Sequence, residues 1–453
     1  MNSPLKYSGS SRSSLLASAL ITLAFSVSGA EPAAPASAPN TSPAAVSAVV
    51  TKPAWLSDLS FTFKEGYDDN VFLSDADGLL QERDSWFTTI TPKVGFNLLP
   101  LLPEQQTLKT FSFSYAPEFI TYHNEPTESH NDHRIAVALK GKADAFSFSL
   151  DNAFVYIDGE KTAPTYTNGL NAYATATARE RREQFQDRAN VSVQFDQEKW
   201  FARAVSSLLY YELLSDQSTA PGYQNYVDRY DVSGGVDFGY KINGQVSATL
   251  GYRYGHQYQE LVVGNALSAS SDYQRVLVGV EGKPWKWLTV AIVGGPDFRS
   301  YADTAPVNDR TPVKYYGEAS ITAQPTAKDT LAFKYKQFQW VASTGKVPYF
   351  DSSYTLTYNR KLTSKLLLDL SGRILSSDYT SALTAIGAKS NNRDDWMYTA
   401  ATGLAYTFTP NLSASVTYSI DFGRNNQDAL TTVAREQREF QRQLLGVAGT
   451  LKF

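Results

Sequence analysis

From Trp55 to Phe453 the chain is cut into segments of about ten residues in which apolar and polar side chains alternate. Successive side chains of a strand point to opposite faces, so alternation with period two predicts strands with one oily and one polar face. Eighteen such segments are counted, from Leu59–Gly66 and Trp86–Leu98 to Leu412–Phe422 and the closing run. The breaks between them keep a second rhythm. Short ones are Gly141–Ala145, Gln197–Trp200, Lys241–Gln245, Pro284–Lys286, Pro325–Thr330, Lys361–Lys365 and Thr409–Asn411. Long hydrophilic ones are Tyr67–Ser85, His123–His133, Ile157–Asp187, Ser215–Asn225, Gln259–Asp272, Ala302–Pro312, Ser381–Asp395 and Gly423–Gln437. Leu99–Lys109, with Pro100 and Pro103, is the one long break in a short position. Turns at one end and loops at the other predict a transmembrane antiparallel up-and-down β-barrel of about 18 (16–18) strands.

The last residues support closure into a ring. Leu445, Val447, Leu451 and Phe453 share one face of the final segment, with Lys452, Thr450 and Ala448 on the other. Lipid offers no partner to an open strand edge, so a spanning sheet must join its last strand to its first. This apolar row ending in Phe453 resembles the C-terminal assembly signal of bacterial outer-membrane proteins, which implies barrel-assembly machinery as a partner.

Ahead of the barrel, expected to occupy 55–453, two segments differ in texture. Residues 1–30 read as a cleaved secretory signal, with Lys6 and Arg12, an apolar core from Leu15 to Val27, and Ser28 and Ala30 at the cleavage positions. Residues 31–54, rich in Ala, Pro and Ser, read as a flexible tether. No run of 18 apolar residues exists, which excludes helical spans. With Cys 0 there is neither a disulfide framework nor a lipoprotein anchor. Loss of Lys6 and Arg12 takes the formal charge from −4 to −6, and no basic stretch suggests nucleic acid.

The polar faces carry charge on many strands. Arg134, Arg188, Arg229, Arg253, Arg275 and Arg373 fall there, with Glu118, Asp151, Asp231, Asp237, Glu318 and Asp369. Facing lipid near the midplane, an Arg or Lys costs about 2–4 kcal/mol, so these are expected to line a wet lumen. Arg203, Arg299 and Arg442 belong to the same set. Since both signs occur, the expected field is transverse and the expected ion selectivity slight. Aromatic residues near segment ends (Trp86, Phe87, Tyr210, Tyr211, Trp285, Trp287, Trp340, Tyr349, Phe350, Trp396, Phe408) are expected to form interfacial girdles.

Gly66-Tyr67-Asp68-Asp69-Asn70-Val71-Phe72, followed by Trp86-Phe87 and Thr91-Pro92-Lys93-Val94-Gly95-Phe96, resembles the opening of the β-barrel porin 2 family. That family includes outer-membrane proteins encoded with exopolysaccharide-export systems. The resemblance is at motif level over about forty residues and otherwise a matter of layout. It implies an outer-membrane conduit in a Gram-negative bacterium and transfers no catalytic residues.

Metal and enzyme signals are weak. Asp75 and Asp77 beside Asp68-Asp69-Asn70 offer oxygen ligands, yet no Glu completes an EF-hand. His130 and His133 in a loop, near His123, offer imidazoles without fixed geometry. The run Ala178–Glu183 mixes charge signs and reads as a loop that touches lipopolysaccharide phosphates at most. His256 is the one histidine inside a predicted strand, with no Gly-x-Ser-x-Gly or His-Glu-x-x-His string. The expectation is therefore a porin-like channel for passive diffusion of small hydrophilic solutes, possible without cofactor, extended in one variant to an exported polysaccharide. The alternative is a non-conducting structural or adhesive barrel working through its outer loops. Oligomeric state is not legible.

Overall fold

The computed structural model describes residues 52–73, 82–103, 107–159, 183–219, 225–264, 266–342, 348–379, 392–427 and 439–453. The signal and tether expected over 1–30 and 31–54, apart from 52–54, lie outside them, as do Asp75, Asp77 and all but Glu183 of the mixed-charge run. Eighteen strands follow one another. They are β1 (Leu56–Asp68), β2 (Ser85–Asn97), β3 (Leu108–Tyr122), β4 (His130–Ala143), β5 (Phe146–Asp158) and β6 (Gln184–Asp196). Next come β7 (Trp200–Leu213), β8 (Arg229–Lys241), β9 (Val246–Gln259), β10 (Ser271–Trp285), β11 (Leu288–Tyr301) and β12 (Val313–Thr326). The last six are β13 (Asp329–Val341), β14 (Pro348–Lys361), β15 (Leu366–Tyr379), β16 (Arg393–Thr409), β17 (Leu412–Gln427) and β18 (Phe440–Lys452). Each pairs antiparallel with the next, and β1 pairs with β18 from Ser60↔Lys452 to Asp68↔Leu444. The ring is closed, as the sequence predicts.

Closure satisfies every edge but leaves local gaps where proline removes a donor. The β2–β3 ladder skips from Ile90↔Phe119 to Val94↔Tyr115, around Pro92 and Pro117. Inward aromatic rings fill space left by glycine: Phe87 lies over Gly66 and Tyr273 over Gly255, where a Cβ would collide with the ring.

The outer face is apolar. Along β8, Tyr230, Val232, Val236, Phe238 and Tyr240 point out, with no charge among the outward positions from 230 to 240. Ten residues at about 3.3 Å each, on a strand tilted about 40°, span about 25 Å along the axis. Val278 is 63% exposed and Val447 53%, which a soluble protein would not leave in a continuous belt. At the turn end Trp55, Trp200, Trp285, Trp287 and Phe408 ring the belt, and at the loop end Trp86 and Trp396 do. Trp285 and Trp287 stack at 5.7 Å.

Some of the expected girdle is elsewhere. Phe87 is buried beneath the β1 glycine, and Trp340 and Tyr349 are each 4% exposed and pack with Tyr379 inside the barrel. Tyr211 packs against that cluster too. Strand phase turns these rings inward, and β13 adds a departure of its own. The β12–β13 ladder ends at Gly317↔Gln337, although β12 runs on to Val313 paired with β11, and β13 to Val341 paired with β14. Above that point β13 parts from β12 and, with β14 still paired to β15, curls into the lumen. Gln339 and Val341, on the phase that elsewhere faces out, are buried. Lys314, on the inward phase of β12, lies 6.0 Å from the ring centre of Phe350 of β14. The sheet therefore overlaps itself like a scroll at the loop end.

Candidate functional site in the barrel lumen

Alternation along each strand puts the charged phase inside, and pairing then brings charges of neighbouring strands together. Arg203 of β7 bonds Asp237 of β8 at 3.1 Å and Glu281 of β10 at 2.9 Å, and Arg253 of β9 reaches the other oxygen of Asp237 at 2.7 Å. Lys336 of β13 pairs with Glu318 of β12 at 2.6 Å. On the far wall Arg442 pairs with Asp421 at 2.6 Å. Arg134 pairs with Glu118 at 3.0 Å and with Asp132 at 2.6 Å, while Lys140 meets Asp151 at 3.3 Å.

The densest cluster lies beneath the infolded hairpin. Asp297 accepts from Arg275 at 2.8 Å and from Arg299 at 3.2 Å, and both guanidinium groups lie over the ring of Tyr273. Arg299 also donates to Gln257 and to Ser271, each at 3.1 Å, and its side chain is 0% exposed. Lumen groups so dry must be covered, and here the cover is the end of β13. Three long side chains hold that end by its backbone carbonyls. Gln257 donates to the carbonyl of Gln339 at 3.1 Å, Arg229 to Val341 at 2.8 Å, and Gln259 to Ala342 at 2.7 Å. Arg229 also sits over the rings of Tyr211 and Trp340. A charged donor and two neutral amides each anchored at the far end make a rigid constriction rather than a loose flap.

Around the constriction the interior stays open. A cavity of about 880 Å³ is bounded by β6–β8 on one wall and β12–β15 on the other, with Arg188, Arg229, Asp231, Arg275, Glu318 and Arg373 among its lining. A second, of about 510 Å³, takes Arg188, Asp237, Arg253 and Glu318. Toward the turn end a cavity of about 910 Å³ has hydroxyls on its wall, Thr322, Thr355, Thr357 and Ser371 among them, with Asp369 and apolar residues such as Leu367. Arg134, Glu118 and Asp151 lie along β3–β5, away from these cavities. Both of the first two cavities set five basic side chains against three acidic ones, in a chain whose formal charge is −4.

The weaker candidates separate. His130 and His133 stand in β4 rather than in a loop, and three residues apart on a strand they face opposite sides. His130 Nδ1 is 2.8 Å from the Glu128 carbonyl, and His133 stacks between Tyr115 and Tyr156. Among the described residues no group of three His, Asp or Glu could hold a metal. His256 is on the outer face, 2.9 Å from Asp272. Leu445, Val447, Leu451 and Phe453 all point outward.

The hairpin clamp was not read from the sequence. A signal was present: Phe338 and Trp340 share the phase of Lys334 and Lys336, which is the lumen phase. The break between β13 and β14 is also brief for its side of the barrel.

No family model matches the chain, and no curated protein does. Solved structures resemble it distantly. Pseudomonas aeruginosa OccK3 (OpdO) is 12% identical over 87% of this chain and 96% of that one, with a TM-score of 0.41. P. aeruginosa OccK2 (OpdF), solved in complex with glucuronate, is 12% identical over 87% and 98%, with a TM-score of 0.40. A loop L8 deletion mutant of OmpT, an outer membrane protein of Vibrio cholerae, is 10% identical over 87% and 98%, with a TM-score of 0.34. Likeness this distant says nothing about what passes through the present barrel.

Proposed function

We propose that this chain is an outer-membrane, porin-like channel of a Gram-negative bacterium, through which small hydrophilic solutes diffuse passively. One observation carries the reading: on β8 an uncharged outward row about 25 Å tall backs a lumen of charged and hydroxyl side chains. Apolar surface of that height is satisfied by acyl chains, and inward guanidinium and carboxylate groups by water. In this reading residues 1–30 direct export and are cleaved, 31–54 tether the barrel, and the outward row Leu445, Val447, Leu451 and Phe453 is read by the assembly machinery. Loops at the end opposite the short turns then meet lipopolysaccharide. At Gly66–Phe72 the chain resembles the β-barrel porin 2 family, but a polysaccharide conduit is not favoured, because the β13–β14 end narrows the bore.

The test is electrical. Refolded mature protein is added to a planar bilayer in potassium chloride, and stepwise conductance is expected on insertion. Silence across many verified insertions would overturn the channel and leave a structural barrel acting through its loops.

A further inference from the structure

Most charges on the cavity wall are already spoken for. Asp231 accepts from the Tyr273 hydroxyl at 2.7 Å and from Gln257 at 3.1 Å. Glu318 is paired with Lys336, and Asp351 accepts from Ser377 at 2.8 Å. Of the basic groups, Arg275 is held by Asp297 and Arg229 donates to the Val341 carbonyl. Arg188 and Arg373 differ. Both are exposed within the lumen, and among the described residues neither side chain makes a hydrogen bond or ion pair. Arg373 lies within electrostatic reach of Asp351 without bonding to it. Their strands, β6 and β15, are nine places apart in a ring of eighteen, so the two guanidinium groups come from opposite walls of one cavity.

We infer that Arg188 and Arg373 form a two-sided selectivity site for small organic oxyanions, carboxylates foremost. The inference rests on the channel reading and names its substrate class. Each of these carboxylates has at least one oxygen engaged, and an entering anion meets two guanidinium groups whose donors are free. A guanidinium presents parallel N–H groups that match the two oxygens of a carboxylate, and phosphate shares that chemistry. Tyr211, Phe338 and Leu375 offer the carbon body of the solute an apolar wall. The infolded hairpin confines passage to this side of the lumen, and fixed charges in a narrowed bore act at short range.

The experiment compares wild type with R188Q/R373Q and R188K/R373K, each first shown to be folded by heat-modifiable mobility in detergent gels. In a potassium chloride gradient the wild type should give a reversal potential of anion-preferring sign, and R188Q/R373Q should move it toward zero. Gluconate should reduce the chloride current, with its half-blocking concentration rising about tenfold or more in R188Q/R373Q, the size of one lost charge-assisted pair. Inorganic phosphate in place of gluconate separates general oxyanion recognition from a carboxylate preference. R188K/R373K should keep the anion preference but lose most of the gluconate block, since a point charge lacks the fork. A cation-preferring wild type, or a reversal potential and block unchanged in R188Q/R373Q, overturns the site. Calorimetric titration of gluconate into detergent-held barrel separates this from failure of the channel. A non-conducting wild type that binds gluconate through these arginines keeps the site, and one with no binding heat loses it.

Discussion

The side-chain amide of Asn70 donates to the backbone carbonyl of Gln441 at 2.8 Å, joining the exit of the first strand to the entry of the last. Its neighbour Asp69 accepts the Gln443 amide at 2.6 Å, and the Asp69 amide donates back to the Gln443 carbonyl at 3.2 Å. Asp68 caps the turn by accepting the Asn70 amide at 3.1 Å. The Asp-Asp-Asn string thus latches the closing seam, with one oxygen each of Asp68 and Asp69 accepting a backbone amide. Asp69→Ala with Asn70→Ala should cost about 1–3 kcal/mol through unsatisfied partners. A lowered temperature for loss of the compact band in heat-modifiability gels checks it, and an unchanged transition would refute the latch.

Removing the shared carboxylate beneath the hairpin should be more damaging. In Asp297→Asn the guanidinium groups of Arg275 and Arg299 lose their common counter-ion in a dry setting. The expected loss is about 3–5 kcal/mol, measured by urea unfolding in detergent. A loss below about 1 kcal/mol would mean that water reaches the cluster.

Releasing the constriction should widen the pore. Gln257→Ala with Gln259→Ala deletes two of the three side chains that hold the end of β13. Single-channel conductance is expected to rise, with added current noise as the hairpin moves. Arg229→Ala should go further, since Arg229 also packs on Tyr211 and Trp340. Equal conductance in all three proteins would show that the hairpin does not limit flow.

The two faces predict opposite tolerance to charge. Val278→Arg, on the belt, should cost about 2–4 kcal/mol and depress refolding yield into vesicles. Thr355→Arg, in a lumen cavity, should refold at near wild-type yield while lowering conductance. Equal yields would argue against lipid on the outer face.

Arg275 and Val276 show what was legible without coordinates. Adjacent on one strand, they must face opposite ways, and only a lumen and a membrane accept that pair on eighteen strands in a row. Strand number, the alternation of turns with loops and the inward placement of charge follow from such local geometry. Local geometry is silent on distance across the ring. Gln257 and Gln339 are 82 residues apart and four strands away, yet their contact holds the end of β13 in the bore, where Gln339 and Val341 are buried on a phase that elsewhere faces out. Whether an inward arginine is engaged, as Arg275 is, or free, as Arg188 is, likewise depends on which strands meet across the lumen. Strand phase comes from the order of residues alone. Engagement needs the closed ring, because only closure determines which walls come within bonding distance.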